Sequence, residues 1–268
     1  MNNEAEIVFL SHGGGPLPLL GDSGHQALVD YLQALPEKLR SPSAILLISA
    51  HWEADIPQIT SAANPGLIYD YYGFPPESYD IKYPAPGEPG LAKAVAEALN
   101  QAGIANELNG SRGFDHGLFV PLKIMFPDAD IPCVQLSLNA NMNAESHLAM
   151  GKALQFLNVD NLLVIGSGFS FHNMREFFAA SSAESGRKNA AFEQWLQTII
   201  SEPAMSEQAR WEMLANWEAA PHARFCHPRE EHLLPLHVCY GLAQRQCDSF
   251  RSVEVLGKSA GMVHWYHG

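Results

Sequence analysis

Apolar runs of strand length alternate with helical patterns along most of this chain, and this alternation narrows the choice of fold more than any other feature. Runs rich in Ile, Leu and Val predict buried strands at residues 7–10, 44–48, 131–136 and 161–166. Apolar residues at helical spacing predict helices at residues 24–35, 91–101, 144–157 and 187–217, the last broken near Pro203. Strands that alternate with helices favour an α/β fold with a mainly parallel central sheet flanked by helices.

The remaining segments contain weaker or irregular patterns. We expect a weak strand at residues 104–108, a helix at residues 230–243 and a last strand at residues 250–256. Residues 66–90 are crowded with Pro, Gly and Tyr, and an ordered loop of this length is often functional. Because the chain contains no internal repeat and no convincing linker, we expect one domain over residues 1–268.

Composition excludes several classes of partner. With 16 Lys plus Arg against 29 Asp plus Glu, the chain has a net charge of -13, which repels nucleic acid and anionic lipid. The four cysteines form no Cys-x-x-Cys pair, so we expect buried free thiols and not a disulfide framework or a cysteine zinc site. The first residues lack the basic start of a signal peptide, and no apolar run approaches the roughly 20 residues of a membrane span. We therefore expect a cytoplasmic protein. The sequence does not decide whether the protein forms a homo-oligomer.

Four histidines stand where a predicted strand has just ended or where a tight loop begins: His12, His51, His172 and His232. Ligand sites in open α/β sheets form beyond the carboxyl ends of the strands, so these side chains can converge on one point. Neutral imidazole is the commonest protein metal ligand, and it is also an acid or base near neutral pH. The pattern therefore predicts a metal-dependent enzyme.

The glycines after His12 allow a second interpretation. His12 is either a ligand held on a tight turn or a capping residue, because residues 13–15 are all glycine. The same four residues resemble the oxyanion-hole motif of lipases, and residues 257–261 match the Gly-x-Ser-x-Gly nucleophile motif. That motif requires an acid and then a histidine after it. Only seven residues follow Gly261 and none is acidic, so we exclude a serine hydrolase.

Local sequence leaves the roles of the other histidines open. His51 follows a strand of five apolar residues, where a lone histidine is usually structural. His116 stands between Asp115, a candidate turn or capping residue, and Gly117, and it is a candidate donor to substrate or oxygen. His172 leaves a glycine-bearing loop and is a candidate for proton transfer. His232, expected in the first turn of a helix, is either an inward ligand or a solvated residue.

In their order along the chain, these motifs together resemble the class III extradiol ring-cleavage dioxygenases of the DOPA-dioxygenase type. The resemblance covers nearly the whole chain and rests on residues 12–15, 49–52, 73–75, 83–87, 113–117, 127–132, 167–173 and 231–236. It implies that His12, His51 and His232 are metal ligands. It also implies that His172 is the catalytic acid and base, and that His116 lies in the active-site pocket. Many extradiol enzymes use two histidines and a carboxylate, so Glu231 is the alternative third ligand.

The implied reaction is the O2-dependent cleavage of a catechol ring beside its hydroxyls, which gives a semialdehyde. Fe(II) is the cofactor expected for activity. Three histidines also suit Zn(II), which purified protein could carry and which offers no redox chemistry. The expected partners are a catechol and O2. Two alternatives stay open, namely a zinc-dependent hydrolase that uses metal-bound water and a non-catalytic binding protein on the same scaffold.

Overall fold

A computed structural model describes residues 5–179 and 182–266, so the segment examined for a signal peptide lies largely outside the described residues. The described strands are β1 (Glu6–Ser11), β2 (Ala44–Ala54), β3 (Gln58–Thr60), β4 (Glu107–Asn109), β5 (Cys133–Asn139), β6 (Leu162–Gly168), β7 (Ser249–Val255) and β8 (Lys258–Trp265). They form one sheet in the order β4-β3-β5-β2-β6-β1-β8-β7. Among these residues, no helix is long and apolar enough to cross a membrane.

The centre of the sheet is parallel, as predicted. Strand β2 pairs in parallel with β5 on one side and β6 on the other, and β6 pairs in parallel with β1. The hairpin of β7 and β8 adds antiparallel strands beside β1, and β3 pairs antiparallel with β5. All residues of β1 and β6 are buried, which explains why residues 7–10 and 162–165 are continuously apolar and do not alternate.

Helices flank the sheet. The longer ones are α1 (Gln26–Ala34), α2 (Pro89–Gln101), α3 (His116–Met125), α4 (Ala144–Ala153), α6 (Ala183–Ser201), α7 (Glu207–Ala215) and α9 (Leu234–Ala243), and the shorter ones are α5 (Met174–Phe178) and α8 (Ala223–Cys226). Helices α1 and α3 pack against each other, whereas α4 packs against α9, which in turn lies on β1, β2 and β6. The predicted break near Pro203 separates α6 from α7. The four cysteines are buried and free, as expected.

The predicted helix at residues 230–243 is wrong at its start. Helix α9 begins at Leu234, and residues 231–233 form a turn. Pro235 occupies the first turn of α9, where its missing N–H is tolerated. His232 therefore precedes the helix and does not belong to its first turn. The carbonyl oxygen of His232 accepts a 2.8 Å hydrogen bond from Phe169 N, which ties this turn to the end of β6.

Further elements differ from the sequence prediction, and β3, α5 and α8 were not predicted at all. The weak strand predicted at residues 104–108 is the three-residue β4, which starts only at Glu107. Helix α3 was not predicted because its sequence is apolar on every face and contains Pro121, so it has no helical period. Strand β7 is not the last strand, since Leu256 and Gly257, both at positive φ, turn the chain directly into β8.

Candidate active site and metal centre

Five histidines converge beyond the carboxyl ends of β1, β2 and β6. His12 follows β1, His51 lies near the end of β2, and His232 lies in the turn before α9. His51 Nε2 is 2.9 Å from His12 Nε2 and 3.3 Å from His232 Nε2. Nitrogens bound to one ion at about 2.0–2.1 Å lie about 3 Å apart when their bonds are near 90°. The distances from His51 Nε2 to the other two Nε2 atoms thus match those between neighbouring ligands of one metal ion.

The Nδ1 atoms of His12 and His232 contact hydrogen-bond acceptors. These contacts are an independent test of whether Nε2 is available to a metal ion. Ser167 Oγ donates its hydrogen to Gly117 O at 2.5 Å and lies 3.1 Å from His12 Nδ1. The serine can only accept from His12, so Nδ1 carries the ring hydrogen and Nε2 presents a lone pair. His232 Nδ1 lies 2.9 Å from Glu231 Oε1, which selects the same tautomer. Metal-binding histidines characteristically have such partners on the second nitrogen.

A bulge in β2 aims His51 at the cluster. Ser49 pairs with Ser137 and Glu53 pairs with Leu138. Strand β2 therefore has three extra residues, 50–52, between two pairing positions that are consecutive in β5. Such an irregularity bends a strand and can redirect a side chain toward a site. The Ser49 hydroxyl accepts a 3.1 Å hydrogen bond from His51 N, which holds the bulge from within.

Beneath the bulge lies the buried carboxylate of Asp115. It accepts a 2.8 Å hydrogen bond from Ser49 Oγ, a 3.1 Å one from Arg112 Nη2 and a further one from Gln135 Nε2. Burial raises the pKa of Asp115, followed by the nearby Asp70 charge, while its hydrogen-bond partners oppose that shift. Asp115 occupies the residue before α3, but its side chain makes no capping hydrogen bond. Its carboxylate instead holds Ser49, which in turn holds the His51 backbone.

His116 begins α3 and lies against His51. Their ring centroids are 3.9 Å apart. Asp70 Oδ1 accepts hydrogen bonds from the backbone N of His116 at 3.0 Å and from its Nδ1 at 2.9 Å. The other oxygen of Asp70 lies 3.6 Å from His51 Nδ1. Burial favours the neutral acid of Asp70, but the hydrogen bonds from His116 outweigh it and lower the pKa of that carboxyl. Asp70 thus touches two rings of the cluster.

His172 stacks on the opposite side of the cluster, against His232. The two Nδ1 atoms share Glu231 Oε1, at 3.1 Å from His172 and 2.9 Å from His232. Burial opposes ionisation of Glu231, but the two histidine hydrogen bonds prevail and hold its pKa well below the usual range. Two groups of side chains have ligand atoms close enough together to hold an ion: His12, His51 and His116 form one, and His172, Glu231 and His232 form the other.

Burial keeps the converging histidines neutral. It is the largest cause that lowers the pKa of His12, His51 and His232, and the neighbouring histidines lower each pKa further. The pKa of His232 falls to about 3 despite its hydrogen bond to Glu231. At neutral pH these three rings are therefore uncharged, and each keeps its one hydrogen on either Nδ1 or Nε2.

The structure brings together all five histidines singled out from the sequence, namely His12, His51, His116, His172 and His232. Sequence reasoning missed the groups that orient them. Ser49 and Ser167 each stand near the end of an apolar strand, and only the distance to a histidine reveals their role. Asp70 lies in the long loop that was predicted to be functional, but that loop contains other acids and no local pattern distinguishes this one.

Comparison with known proteins agrees with this architecture. The chain is 43% identical over 259 residues to the dioxygenase tasH of Hapsidospora irregularis, covering 90% of this chain and 79% of that protein. It is 37% identical to the 4,5-DOPA dioxygenase extradiol of Beta vulgaris, covering 90% and 88% of the two chains. A crystal structure of an uncharacterized Escherichia coli K12 protein superposes with a TM-score of 0.73 at 28% identity, covering 97% and 99%. Residues 8–266 match the family described as the catalytic LigB subunit of aromatic ring-opening dioxygenase. The chain belongs to this family, and it is an extradiol ring-cleaving dioxygenase with a metal-binding histidine cluster.

Proposed function

We propose that His12, His51 and His232 bind one Fe(II) through their Nε2 atoms and that the site cleaves a catechol. The observation that carries this proposal is the approach of two Nε2 atoms to His51 Nε2, that of His12 at 2.9 Å and that of His232 at 3.3 Å. Atoms of one lone-pair type come so close only if an ion or a proton lies between them. The Nδ1 contacts of His12 with Ser167 and of His232 with Glu231 place the hydrogens of those two rings away from Nε2, which supports the ion.

The donor set favours iron as the working metal. Three neutral imidazoles would hold a divalent ion without cancelling its charge, and they would not fill its coordination sphere. When bound, Fe(II) supplies the redox chemistry that ring opening by O2 requires, whereas Zn(II) would occupy the same nitrogens without it. Glu231 is proposed to orient His172 and His232 through Oε1, while its buried Oε2 lies 3.6 Å from Arg229 Nη1.

The two remaining histidines move or hold protons. His172 is proposed as the base that takes a catechol proton and as the acid that later returns a proton to the reacting substrate. Its Nδ1 lies 3.1 Å from Glu231 Oε1, so the opposite nitrogen, Nε2, is free to exchange a proton. His116 is proposed as the hydrogen-bond donor that orients substrate or oxygen, since Asp70 fixes its Nδ1 at 2.9 Å.

The substrate is proposed to be a small catechol, and the product a semialdehyde. A relative named for 4,5-DOPA supports a catechol as the substrate class. Tyr71 offers an aromatic wall on the His116 side of the site, with its ring centroid 5.7 Å from that of His116. A flat ring that enters beside His116 would therefore meet an aromatic surface.

The test compares iron-loaded and zinc-loaded protein prepared from one metal-free batch. Iron-loaded protein should consume one O2 per catechol across a panel of catechols and form a yellow semialdehyde, whereas zinc-loaded protein should consume none. Oxygen uptake by the zinc form would contradict iron as the working metal. No uptake by protein with verified bound Fe(II) would contradict ring cleavage of these catechols and leave the hydrolytic or binding function.

A further inference from the structure

His25 is a buried histidine that neither the metal centre nor the proposed proton transfers use. Its ring is fully buried, and its Nε2 accepts a 2.9 Å hydrogen bond from Gly14 N. Its Nδ1 lies 2.7 Å from Asp22 Oδ1. Since Nε2 accepts, the ring hydrogen must be on Nδ1, where it is donated to Asp22. One neutral tautomer thus connects a half-buried carboxylate to the backbone of the glycine turn after His12.

The turn is also held by a 3.3 Å hydrogen bond that Gly14 O accepts from Leu17 N. Gly13 and Gly15 adopt φ values of 84° and 56°, a region that glycine enters freely but does not prefer. A Cβ on Gly13 would lie 2.9 Å from His25 Cδ2 and 2.7 Å from Pro18 Cγ, so the turn packs directly on the histidine ring. The contact with His25 therefore restricts the most flexible backbone beside the site.

On its other side, the turn supports the aromatic wall of the site. A Cβ on Gly15 would lie 3.2 Å from the Phe74 ring. The Phe74 ring packs edge-on against Tyr71 at 5.5 Å, and Tyr71 packs against His116 at 5.7 Å. A displacement of the turn would therefore also displace Phe74 and Tyr71, which lie next to the proposed substrate position.

The metal ligand itself is held independently of the turn. His12 N donates to Gly168 O at 3.2 Å, and His12 Nδ1 is 3.1 Å from Ser167 Oγ. Both contacts run to β6 and neither involves residues 13–15. Loosening the turn should therefore alter the aromatic wall while the metal nitrogens stay in place.

We infer that His25, oriented by Asp22, is a positioning residue that holds the Gly13–Gly15 turn against Phe74 and Tyr71 and thereby sets the affinity for the aromatic substrate. This inference rests on the proposed catechol function. It predicts that the loss of the Nε2 acceptor raises KM with little change in kcat. One neutral hydrogen bond corresponds to a change of roughly three- to tenfold.

The test uses His25→Leu, His25→Gln and Asp22→Ala. Leucine removes the acceptor, whereas the glutamine oxygen reaches the position of Nε2 and can still accept from Gly14 N. We expect His25→Leu to speed hydrogen exchange of the Gly14 amide, to raise KM roughly three- to tenfold and to keep its metal content and kcat. His25→Gln should restore both the amide protection and KM. Asp22→Ala, at a half-buried position, should change the Gly14 amide exchange and KM in the same direction as His25→Leu but by less. It replaces His25→Leu in the test if that variant does not fold.

Two results would overturn the inference. One is unchanged protection of the Gly14 amide in the variants that lack the acceptor or its orienting carboxylate. The other is a fall in kcat or metal content with KM unchanged, which would assign His25 to the metal centre. The Gly14 exchange is measured without substrate. A failure of the proposed function, seen as absent turnover by the unaltered protein, is therefore distinguishable from a failure of this inference.

Discussion

The imidazole rings of His172 and His232 stack with their centroids 3.4 Å apart and their planes 15° apart. Both present Nδ1 to the same oxygen of Glu231. Of these two rings, His232 is the one whose Nε2 lies 3.3 Å from His51 Nε2. One carboxylate thus orients a proposed ligand and a proposed proton carrier together, and the two roles can be separated by substitution.

Replacing His172 should affect turnover and not metal binding. Glutamine keeps polarity and approximate size but cannot titrate, and general acid–base groups contribute roughly 10²–10⁴-fold to rate. We expect His172→Gln to retain iron and to bind catechol while kcat falls by roughly that factor. Iron content, catechol-binding spectra and turnover are measured on one preparation. Loss of iron would make His172 a ligand, and near-normal turnover would transfer the proton role to His116.

Removing a proposed ligand should abolish metal binding while the fold remains. We expect His12→Ala and His51→Ala to lose the single bound metal ion, because each variant deletes one of the converging Nε2 atoms. Metal analysis and circular dichroism check this. His222→Asn, at an exposed position, is the matched control and should bind metal normally. Normal metal content in both alanine variants would refute the assignment.

Glu231 requires its own comparison, because it is the alternative third ligand. As a group that only orients His172 and His232, it should tolerate Glu231→Gln with a metal affinity lowered by roughly 10–100-fold. His232→Ala should abolish binding. The opposite order, with metal lost from the Glu231 variant and retained by the His232 variant, would exchange the two assignments.

A methyl group at Gly117 should displace His51. A Cβ there would lie 2.7 Å from Ser49 Oγ and 3.3 Å from His51 Cδ2. Alanine favours a helix interior over glycine by roughly 1 kcal/mol, but here the contact with the β2 bulge should prevail. We expect Gly117→Ala to lower both thermal stability and metal affinity. Gly186→Ala is the control: it lies in α6 with open space around it, and it should stabilise the protein. Equal stabilisation by both substitutions would contradict this account.

Glu193 should make stability depend on pH. Its side chain is buried and neither oxygen has a hydrogen-bond partner. Burial raises its pKa to about 8, although the nearby Ser170 hydroxyl partly opposes the shift. Below the unfolded pKa of about 4.3 both states are protonated, so no penalty exists. Between that pKa and 8 only the unfolded state ionises, so the free energy of unfolding falls as pH rises.

The substitution Glu193→Gln isolates this contribution, because glutamine stays neutral at every pH. The free energy of unfolding of the unaltered protein should fall relative to the variant by up to roughly 1.4 kcal/mol per pH unit in that window, and the difference should level off above pH 8. Urea unfolding of both proteins from pH 5 to 9 measures it. Parallel curves would show that Glu193 is ionised in the folded protein at neutral pH.

The sequence alone predicted the parallel strands at the centre of the sheet and the histidines of the site. The runs at β1, β2 and β6 are continuously apolar because both faces of those strands are buried, and such composition is readable without coordinates. Histidines after these strands must lie at one edge, because parallel strands end together. Strand β8 and the apolar helix α3 were not predicted, since neither shows the periodicity of a half-buried element.

Only the tertiary structure decided which atoms orient the histidines. Asp70, Ser167 and Glu231 come from a loop, a strand and a turn far apart in the chain, yet each lies within hydrogen-bond distance of a histidine Nδ1. His25 likewise reaches the glycine turn only because Asp22 and Gly14 fold onto the two sides of its ring. Hydrogen bonds act over about 3 Å and leave no period in the sequence. The sequence could therefore predict a histidine site, whereas only the folded structure shows which groups hydrogen-bond to the histidines.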